Sequence, residues 1–552
     1  WLDVAADGGR AAPAEGPDLS RIRPSRLLAR GMVEADAEQV EARTDRLELW
    51  FKGTAAAPAG GPPAAAPARP IAAPPAPGRA AHRIAASATL VRGLVVMGPA
   101  GNQLEEMSME GQVRLAEQVA VPAPGGQPPE SGLEIDGDQM QVSRAAGPDA
   151  RAIISGRPAR VRGRGLDLSG PLVEFDRGRG RITVDGAGRL ALPMDRGAGG
   201  LDLMGFTAAA PAAAPAAGPA GSLDVEWQGR MDFDGRIARF IDRVVATSGA
   251  ANVKAGAIDV FFDRPFDLGG PPRPGARQPE VVKVACGGGV HVESESTADD
   301  GGRSRDRLHA RDLVVDRVTG DVTGTGPGRL TSTRFGRQQP VTAPAGPPGL
   351  AVQPVSAPKP AQGLSYLGVD FQRGLRGNIH HRRMEFHQRV EAVWGPVAGW
   401  DDTLDPHAAA GLPPGVVTVA SDVLGVGQVP PAPGAPRPSI EVAAAGNVLV
   451  EGESFTARSA RLTWAEAKDL LVFEGDGRAD AQLFRQVQAG AQPSSASAGK
   501  ILYWRGLNRV DVEDARYLDL DQIRGGAAPT PLPGTPASRG PATPPAQVLP
   551  GT

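Results

Sequence analysis

Cysteine is nearly missing from this chain of 552 residues, in which Cys286 is the only one. A single cysteine excludes an intramolecular disulfide framework and a zinc site built from four cysteines. Long apolar runs are also missing, because no uncharged apolar run approaches the roughly 18–20 residues of a membrane helix. The sequence begins at Trp1 rather than at methionine, so we expect a processed chain or a fragment.

Neither sign of charge is in large excess. The 59 Lys and Arg residues against 62 Asp and Glu residues give a net charge of −3, and the pI is near 6.3. A nucleic-acid-binding domain usually has a pI above about 9, so we expect no nucleic-acid partner. One stretch is locally basic, and there we favour a solvated strand face over phosphate contacts: Arg151, Arg157, Arg160, Arg162, Arg164, Arg177, Arg179 and Arg181.

Glycine and proline, by contrast, are abundant, with 73 and 54 residues. Segments rich in proline, alanine and glycine bury too little apolar surface to offset the entropy of ordering. They predict linkers at 54–83, 207–221 and 338–362, and a disordered tail at 525–552. Between them we predict a partial β repeat at 1–53 and further β segments at 84–206, 222–268, 281–337, 363–429 and 439–524.

These segments alternate apolar and polar residues. In "GRITVDGAGRLALPM" the apolar Ile182, Val184, Leu190 and Leu192 alternate with polar or small residues, and a period of two places them on one face of a sheet. Helical i, i+3, i+4 spacing is hard to find anywhere. The sequence therefore predicts an all-β protein.

A Gly-x-Gly-Arg motif occurs three times, beginning at Gly186, Gly326 and Gly475. A glycine-rich phosphate loop must open a helix whose N-terminal amides hold the phosphate, but strand-like residues follow each motif. We therefore interpret the motif as a tight turn or a bulge between strands, in which glycine supplies a positive φ at low cost. Its recurrence indicates a repeated structural unit.

The repeat extends beyond the turn. "GGVHVESES" at Gly288–Ser296 matches "GNVLVEGES" at Gly446–Ser454, and the latter continues into "ARLTW" and "LLVFEGDGRA". Together with "DRLELWF" and "RRMEFHQRVEAVWGPV", these motifs resemble the OstA-like family, that is, LptA, LptC and the N-terminal part of LptD in lipopolysaccharide transport. The resemblance is clearest over 440–520, recognisable over 281–334 and diffuse in the first 270 residues.

The resemblance implies repeated antiparallel β-jellyrolls, each with an apolar interior and open ends that stack on other jellyrolls. It further implies a lipopolysaccharide-binding or transporting bridge in the periplasm or cell envelope, without enzymatic activity, cofactor or metal. Its expected partners are lipopolysaccharide or a similar glycolipid and other OstA-like jellyroll proteins. The residues expected to line a lipid groove are Ile182, Val184, Leu190, Leu192, Val290, Val292, Val448, Val450, Phe455, Leu462, Trp464, Leu471 and Phe473.

Two other functions remain open. The chain could be a structural envelope scaffold or adhesion protein with an ordinary packed core, or a carbohydrate-active β-enzyme, which would need two carboxylates facing each other across a sugar. We expect Trp227, Trp394, Trp464 and Trp504 to lie in the sheet interior.

Histidines suggest one further site. His381 and His387 could share a strand face, but we favour packed or solvated histidines over a zinc site for them and for His380, because zinc usually requires three or more close ligands.

Overall fold

A computed structural model describes residues 2–5, 23–36, 40–53, 83–98, 101–118, 132–145, 147–163, 166–194, 221–265, 279–297, 302–337, 362–407, 412–429, 439–486, 494–504 and 509–518. Within these ranges the chain is all-β, as predicted. They contain no α-helix, and the one helical element that they show is a 3-10 turn at Glu466–Lys468.

The strands of the N-terminal half are β1 (Leu2–Ala5), β2 (Arg23–Asp36), β3 (Val40–Gly53), β4 (Arg83–Gly98), β5 (Gly101–Gln118), β6 (Glu134–Ser143), β7 (Arg151–Gly163), β8 (Leu166–Asp176), β9 (Arg181–Asp185), β10 (Gly188–Met194), β11 (Gly221–Trp227), β12 (Arg230–Phe233), β13 (Ile237–Ser248) and β14 (Ala251–Phe262). The remaining strands are β15 (Val281–Gly287), β16 (Val290–Thr297), β17 (Arg303–Ala310), β18 (Asp312–Asp316), β19 (Asp321–Thr325), β20 (Gly328–Arg337), β21 (Gln362–Phe371), β22 (Gly374–Asn378), β23 (Arg383–Val397), β24 (Val417–Val429), β25 (Ser439–Gly452), β26 (Phe455–Ala465), β27 (Leu470–Glu474), β28 (Ala481–Arg485), β29 (Ser494–Trp504) and β30 (Arg509–Leu518).

These strands form one hydrogen-bonded sheet that follows the order of the chain. Each long strand, or each pair of short strands that replaces one, lies beside the next along the sequence. The described pairings are antiparallel except for the parallel pair of β3 and β4. The sheet is therefore a long meander whose contacts are mostly between sequence neighbours.

Every layer of this meander bends near its middle, and the bends fall on one line, which we call the hinge. In β13 and β23 the bend is a β-bulge at Asp242–Arg243 and at Gln388–Arg389, and in β25 it is a bulge at Gly446–Asn447, all with positive φ. In other layers the strand itself is interrupted at the bend, as at Gly288–Gly289 between β15 and β16. Bulges of this kind increase the local bend of a strand.

The hinge divides the sheet into two arms. The first arm contains β9, β12, β15, β18, β19, β22, β27 and the halves of longer strands that pair with them. The second arm contains β10, β11, β16, β17, β20, β21, β28 and the halves that pair with them. We call the end of each arm that is farthest from the hinge the rim.

The two arms enclose one apolar core. Burial alternates along the strands, as in β16, where Val290 and Val292 are buried and His291 and Glu293 are exposed. A single cluster of buried side chains runs through the described residues from Leu47 to Tyr503.

Ring contacts join the inner faces of the two arms. Phe371 of the second arm lies 5.4 Å from Phe386 of the first, and Phe455 lies 5.3 Å from Tyr503, between ring centroids. The core is therefore held between the arms by side chains from both.

The three Gly-x-Gly-Arg motifs connect strands, as predicted: β9 to β10, β19 to β20, and β27 to β28. Positive φ angles occur at Gly186 and Gly477. The prediction of positive φ is wrong for the middle motif, because neither Gly326 nor Gly328 has a positive φ. At residue 328 glycine instead allows the ring of Phe371 to approach the backbone closely. A Cβ on Gly328 would lie 2.3 Å from Cζ of Phe371.

The predicted linkers and tail fall almost entirely outside the described residues. The strands on either side of two linkers pair with each other, because Met194 lies opposite Gly221 and Arg337 lies opposite Gln362. The sheet is therefore continuous from one predicted β segment to the next at these points.

Candidate functional site

The inner face of the sheet contains every residue that the sequence indicated as a groove candidate. Each belongs to the single apolar cluster or packs against it. Leu192 and Trp464 are half-buried, whereas the others are buried: Ile182, Val184, Leu190, Val290, Val292, Val448, Val450, Phe455, Leu462, Leu471 and Phe473.

The strand register brings these candidates into contact across neighbouring strands. Leu462 lies opposite Phe473, and Trp464 lies opposite Leu471. Val448 and Val450 share the inner face, while Glu451 is exposed on the other face, which confirms their predicted alternation. This row of side chains forms an apolar lining for the C-terminal part of the sheet.

The N-terminal candidates are arranged in the same way. Val184 lies opposite Met231, and Leu190 lies opposite Val225. Val292 pairs with Leu308 on the next strand. The apolar lining is thus built from cross-strand pairs on both arms, which are the units of stabilisation within a sheet.

The interior is closely filled by these side chains. The apolar cavity found beside Val253, Ile258 and Cys286 has a volume of about 10 Å³, which is room for about one water molecule. Burial raises the pKa of the Cys286 thiol to about 12, with a further contribution from Asp259. Arg317 borders the same cavity, and burial lowers the pKa of its guanidinium group.

A short polar row interrupts the lining of the second arm. Ser294, Asp306 and Ser332 lie directly opposite one another on β16, β17 and β20. All three are buried, and Asp306 is 1% exposed. This row was not predicted, although an inward aspartate in the alternating pattern of "RSRDRLHA" signals it.

The tryptophans divide between the two faces. Trp227 is fully buried, and the half-buried rings of Trp394 and Trp464 lie 5.2 Å apart, on opposite arms. The expectation for Trp504 is wrong. Its neighbour Tyr503 faces the core, so Trp504 lies on the outer face, where the Arg509 guanidinium group is 5.0 Å from the ring centroid.

Several large core residues were not predicted, among them Phe240, Phe371, Phe386 and Tyr503. Their strands carry the same alternation as the candidates, so a systematic count of alternating positions would find them. A second, smaller cluster was also missed. It lies on the outer face of the second arm, where Tyr366, Val393 and Val416 pack together under the segment that follows β23.

The histidines do not share a strand face. His380 and His381 lie in the turn between β22 and β23, and β23 begins only at Arg383, so His381 does not share a strand face with His387, although their spacing would have allowed it. His387 Nε2 lies 3.2 Å from Glu385 Oε1. Within the described ranges, no group of three or more His, Cys, Asp or Glu side chains is placed to hold a metal ion.

Apart from Arg164, which lies outside the described residues, the locally basic stretch lies on the outer face, and several of its arginines form ion pairs with carboxylates. Arg151 lies 2.8 Å from Glu174, and Arg181 lies 2.6 Å from Asp232. Burial opposes ionisation of Asp232, but hydrogen bonds from Arg230 and Arg181 outweigh it and lower the pKa of this carboxyl group. Arg151 and Arg181 thus form ion pairs between neighbouring strands on a solvated face.

No protein-family model matches the sequence, and no curated protein matches it significantly. In the part of the chain that the structure describes, no helix is long and apolar enough to span a membrane.

Proposed function

We propose that this chain is a non-enzymatic bridge protein of the bacterial cell envelope that shields the acyl chains of lipopolysaccharide, or of a similar glycolipid, between its two arms. The observation that carries the proposal is the continuous apolar lining from Leu47 to Tyr503 on the inner faces of a bent sheet. Such a sheet is also what the OstA-like resemblance implies, with each stretch of the meander acting as a jellyroll repeat.

The pattern of hydrogen bonds supports lipid entry at the rims. In the described strands, ladder pairing runs along each arm and no strand of one arm pairs with a strand of the other. Separating the rims would therefore break side-chain contacts such as that of Trp394 with Trp464 and leave the ladders intact. Acyl chains inserted between the arms would be removed from water, and this burial would offset the lost contacts by about 0.8 kcal/mol per methylene.

The C-terminal end of the sheet supports the proposed stacking on a partner. The strand β30 pairs with β29 on one side and with no other described strand. Its inward Val510 and Val512 are only partly buried, and Tyr517 is 57% exposed. An edge of this kind can accept a strand of another jellyroll by β-augmentation.

A photo-crosslinking residue tests the proposal in cells. Placed at Val450, which is fully buried on the inner face, it should capture a lipopolysaccharide-like molecule, whereas at the outward Glu451 it should not. Mass spectrometry of lipid from gently purified protein identifies the ligand. Equal capture at both positions, or none at Val450 in folded protein, would reject the proposal.

One observation favours the second candidate, a structural scaffold. The cavity beside Cys286 holds only about 10 Å³, so this part of the interior is packed as in an ordinary core. A scaffold would retain this packing at all times, so it would yield neither copurified lipid nor a crosslink at Val450. The same experiment therefore separates the two functions.

A further inference from the structure

A polar pocket opens at the rim of the second arm, between the hairpin of β16 and β17 and the turn that follows β23. Its volume is about 200 Å³, smaller than the roughly 300–1,000 Å³ of drug-sized ligand sites, and thus suited to one small ring. It is lined by Glu295, Arg303, Ser304, Arg305, Trp400 and Asp401.

The turn that carries Trp400 and Asp401 is held in place by its own side chain. Asp402 Oδ2 accepts hydrogen bonds from the backbone N–H of Gly399, at 2.7 Å, and of Ala398, at 3.1 Å. An aspartate that bonds to nearby backbone amides in this way stabilises a tight turn. The shape of the turn is therefore fixed before any ligand binds.

The charged groups of the pocket are also fixed in advance. Arg305 donates to Glu295 Oε1 at 2.7 Å and to Asp401 Oδ1 at 3.0 Å. Asp401 Oδ1 also accepts from Arg307 Nη2 at 3.2 Å. The guanidinium carbon of Arg303 lies 5.6 Å from the ring centroid of Trp400, which is a cation–π distance.

We propose that this pocket binds a single neutral sugar ring. An indole offers a broad apolar surface with little conformational freedom, and it suits the C–H face of a pyranose. Carboxylates that only accept and guanidinium groups that only donate surround it, and they match sugar hydroxyls, which do both.

The balance of charge selects against phosphate and other strong anions. The lining contains two cations, Arg303 and Arg305, and two anions, Glu295 and Asp401, whereas phosphate sites concentrate positive charge. The inference goes beyond the proposed function and does not depend on it, because Glu295 and Arg305 lie on the outer face of β16 and β17. A sugar could occupy this pocket whether or not the interior holds an acyl chain.

Saturation-transfer NMR on the full chain tests the inference. The probes are the methyl glycosides of glucose, galactose, mannose and N-acetylglucosamine, with glucose 6-phosphate and adenosine for comparison. At least one neutral glycoside should bind, and Trp400→Ala should weaken it at least about tenfold, or about 1.4 kcal/mol. Trp504→Ala is the matched control, because it removes another tryptophan stacked with an arginine, and binding should not change.

A second variant guards against a change of fold at the turn. Asp401→Asn keeps Trp400 but removes the negative charge of one hydrogen-bond acceptor, so it should also weaken binding of the glycoside. The inference is overturned if no neutral glycoside binds at millimolar concentration, if either pocket variant binds as well as the parent protein, or if glucose 6-phosphate or adenosine binds more tightly. Lipid capture at Val450 in the parent protein reports on the proposed function separately.

Discussion

The indole Nε1 of Trp227 donates a hydrogen bond to the carbonyl oxygen of Gly186, 3.0 Å away. The first Gly-x-Gly-Arg turn is thereby tied to the core, because Trp227 is fully buried and its ring lies 5.2 Å from Phe240. Phe371 occupies the corresponding place beside the second turn, opposite Gly328. Phenylalanine has no donor, so the second turn lacks this side-chain hydrogen bond and is held by packing and by the backbone bond from the Gly326 N–H to the carbonyl oxygen of Arg373, 2.8 Å away.

Replacing Trp227 with phenylalanine should destabilise the protein. The variant retains an aromatic ring but leaves the carbonyl group of Gly186 without its donor, and an unsatisfied buried polar group costs about 1–3 kcal/mol. Urea unfolding followed by circular dichroism measures the loss. Trp504→Phe on the outer face should change stability by no more than about 0.5 kcal/mol. An equal effect of both variants would contradict the role of this hydrogen bond.

Gly328→Ala should be more harmful than Gly363→Ala on the neighbouring strand. A Cβ at residue 328 would lie 2.3 Å from Phe371 Cζ and 2.5 Å from the His309 carbonyl oxygen, whereas at residue 363 it would meet nothing within 4 Å. Overpacking of this kind costs about 1–3 kcal/mol. Thermal unfolding of the two variants provides the comparison. Similar melting temperatures would show that the second turn can relax.

Val450→Asp should destabilise the sheet by several kcal/mol if the interior stays packed around it. Leu449→Asp, on the outer face, should cost much less. Burial raises the pKa of the new carboxyl group in the folded state. Stability is then lost as the pH rises, so the loss should be larger at about pH 7 than at about pH 4. Unfolding in urea at both pH values checks this, and a pH-independent loss would contradict it.

His407 should have a pKa above the ordinary histidine value of 6.5, and His309 should have a pKa below it. A hydrogen bond to Glu391 raises the pKa of His407, whereas burial, with His291 and neighbouring arginines, lowers that of His309. The stability that His407 contributes is fully present below pH 6.5, and it is lost as the pH rises through the pKa of His407 in the folded protein. NMR titration of ring protons measures both. Glu391→Gln should lower the pKa of His407 and leave that of His309 unchanged; a shift in both would be contrary to this assignment.

The Cys286 thiol should resist alkylation in the folded protein. It is 4% exposed and its pKa is about 12, so the reactive thiolate is scarce near neutral pH. Mass spectrometry after treatment with iodoacetamide should show no adduct in buffer and one adduct in denaturant. Rapid labelling of the native chain would mean that the arms open readily at this point.

Local alternation was sufficient to predict an all-β chain and to place the groove candidates on one face of the sheet. In β25, for example, the pattern places Val448 and Val450 inside because each strand residue has a fixed face. The bends were harder to predict. Glycine marks the hinge at Gly288–Gly289, but in β13 the hinge falls on Asp242–Arg243. Positive φ is uncommon for residues other than glycine, although aspartate adopts it more often than most.

Contacts between distant segments were not predictable from periodicity. The parallel pairing of β3 with β4 joins strands separated by a long proline-rich segment. The pocket beside Trp400 depends on a turn that reaches β17, almost a hundred residues earlier, through Asp401 and Arg305. One clue was present, since "VEAVWG" in β23 has adjacent apolar residues, a pattern typical of a strand covered on both faces.

Because the sheet is a sequential meander, the length of this molecule can change by whole layers. Each bent layer is supported chiefly by the layer before it and the layer after it, as in solenoid proteins, in which stability is nearly a sum of nearest-neighbour terms. Duplication of one hairpin would add two layers, or about 9–10 Å at the usual strand spacing, and would leave the hinge, the rims and the lining in register. Evolution can therefore adjust the length of such a protein without redesigning its core.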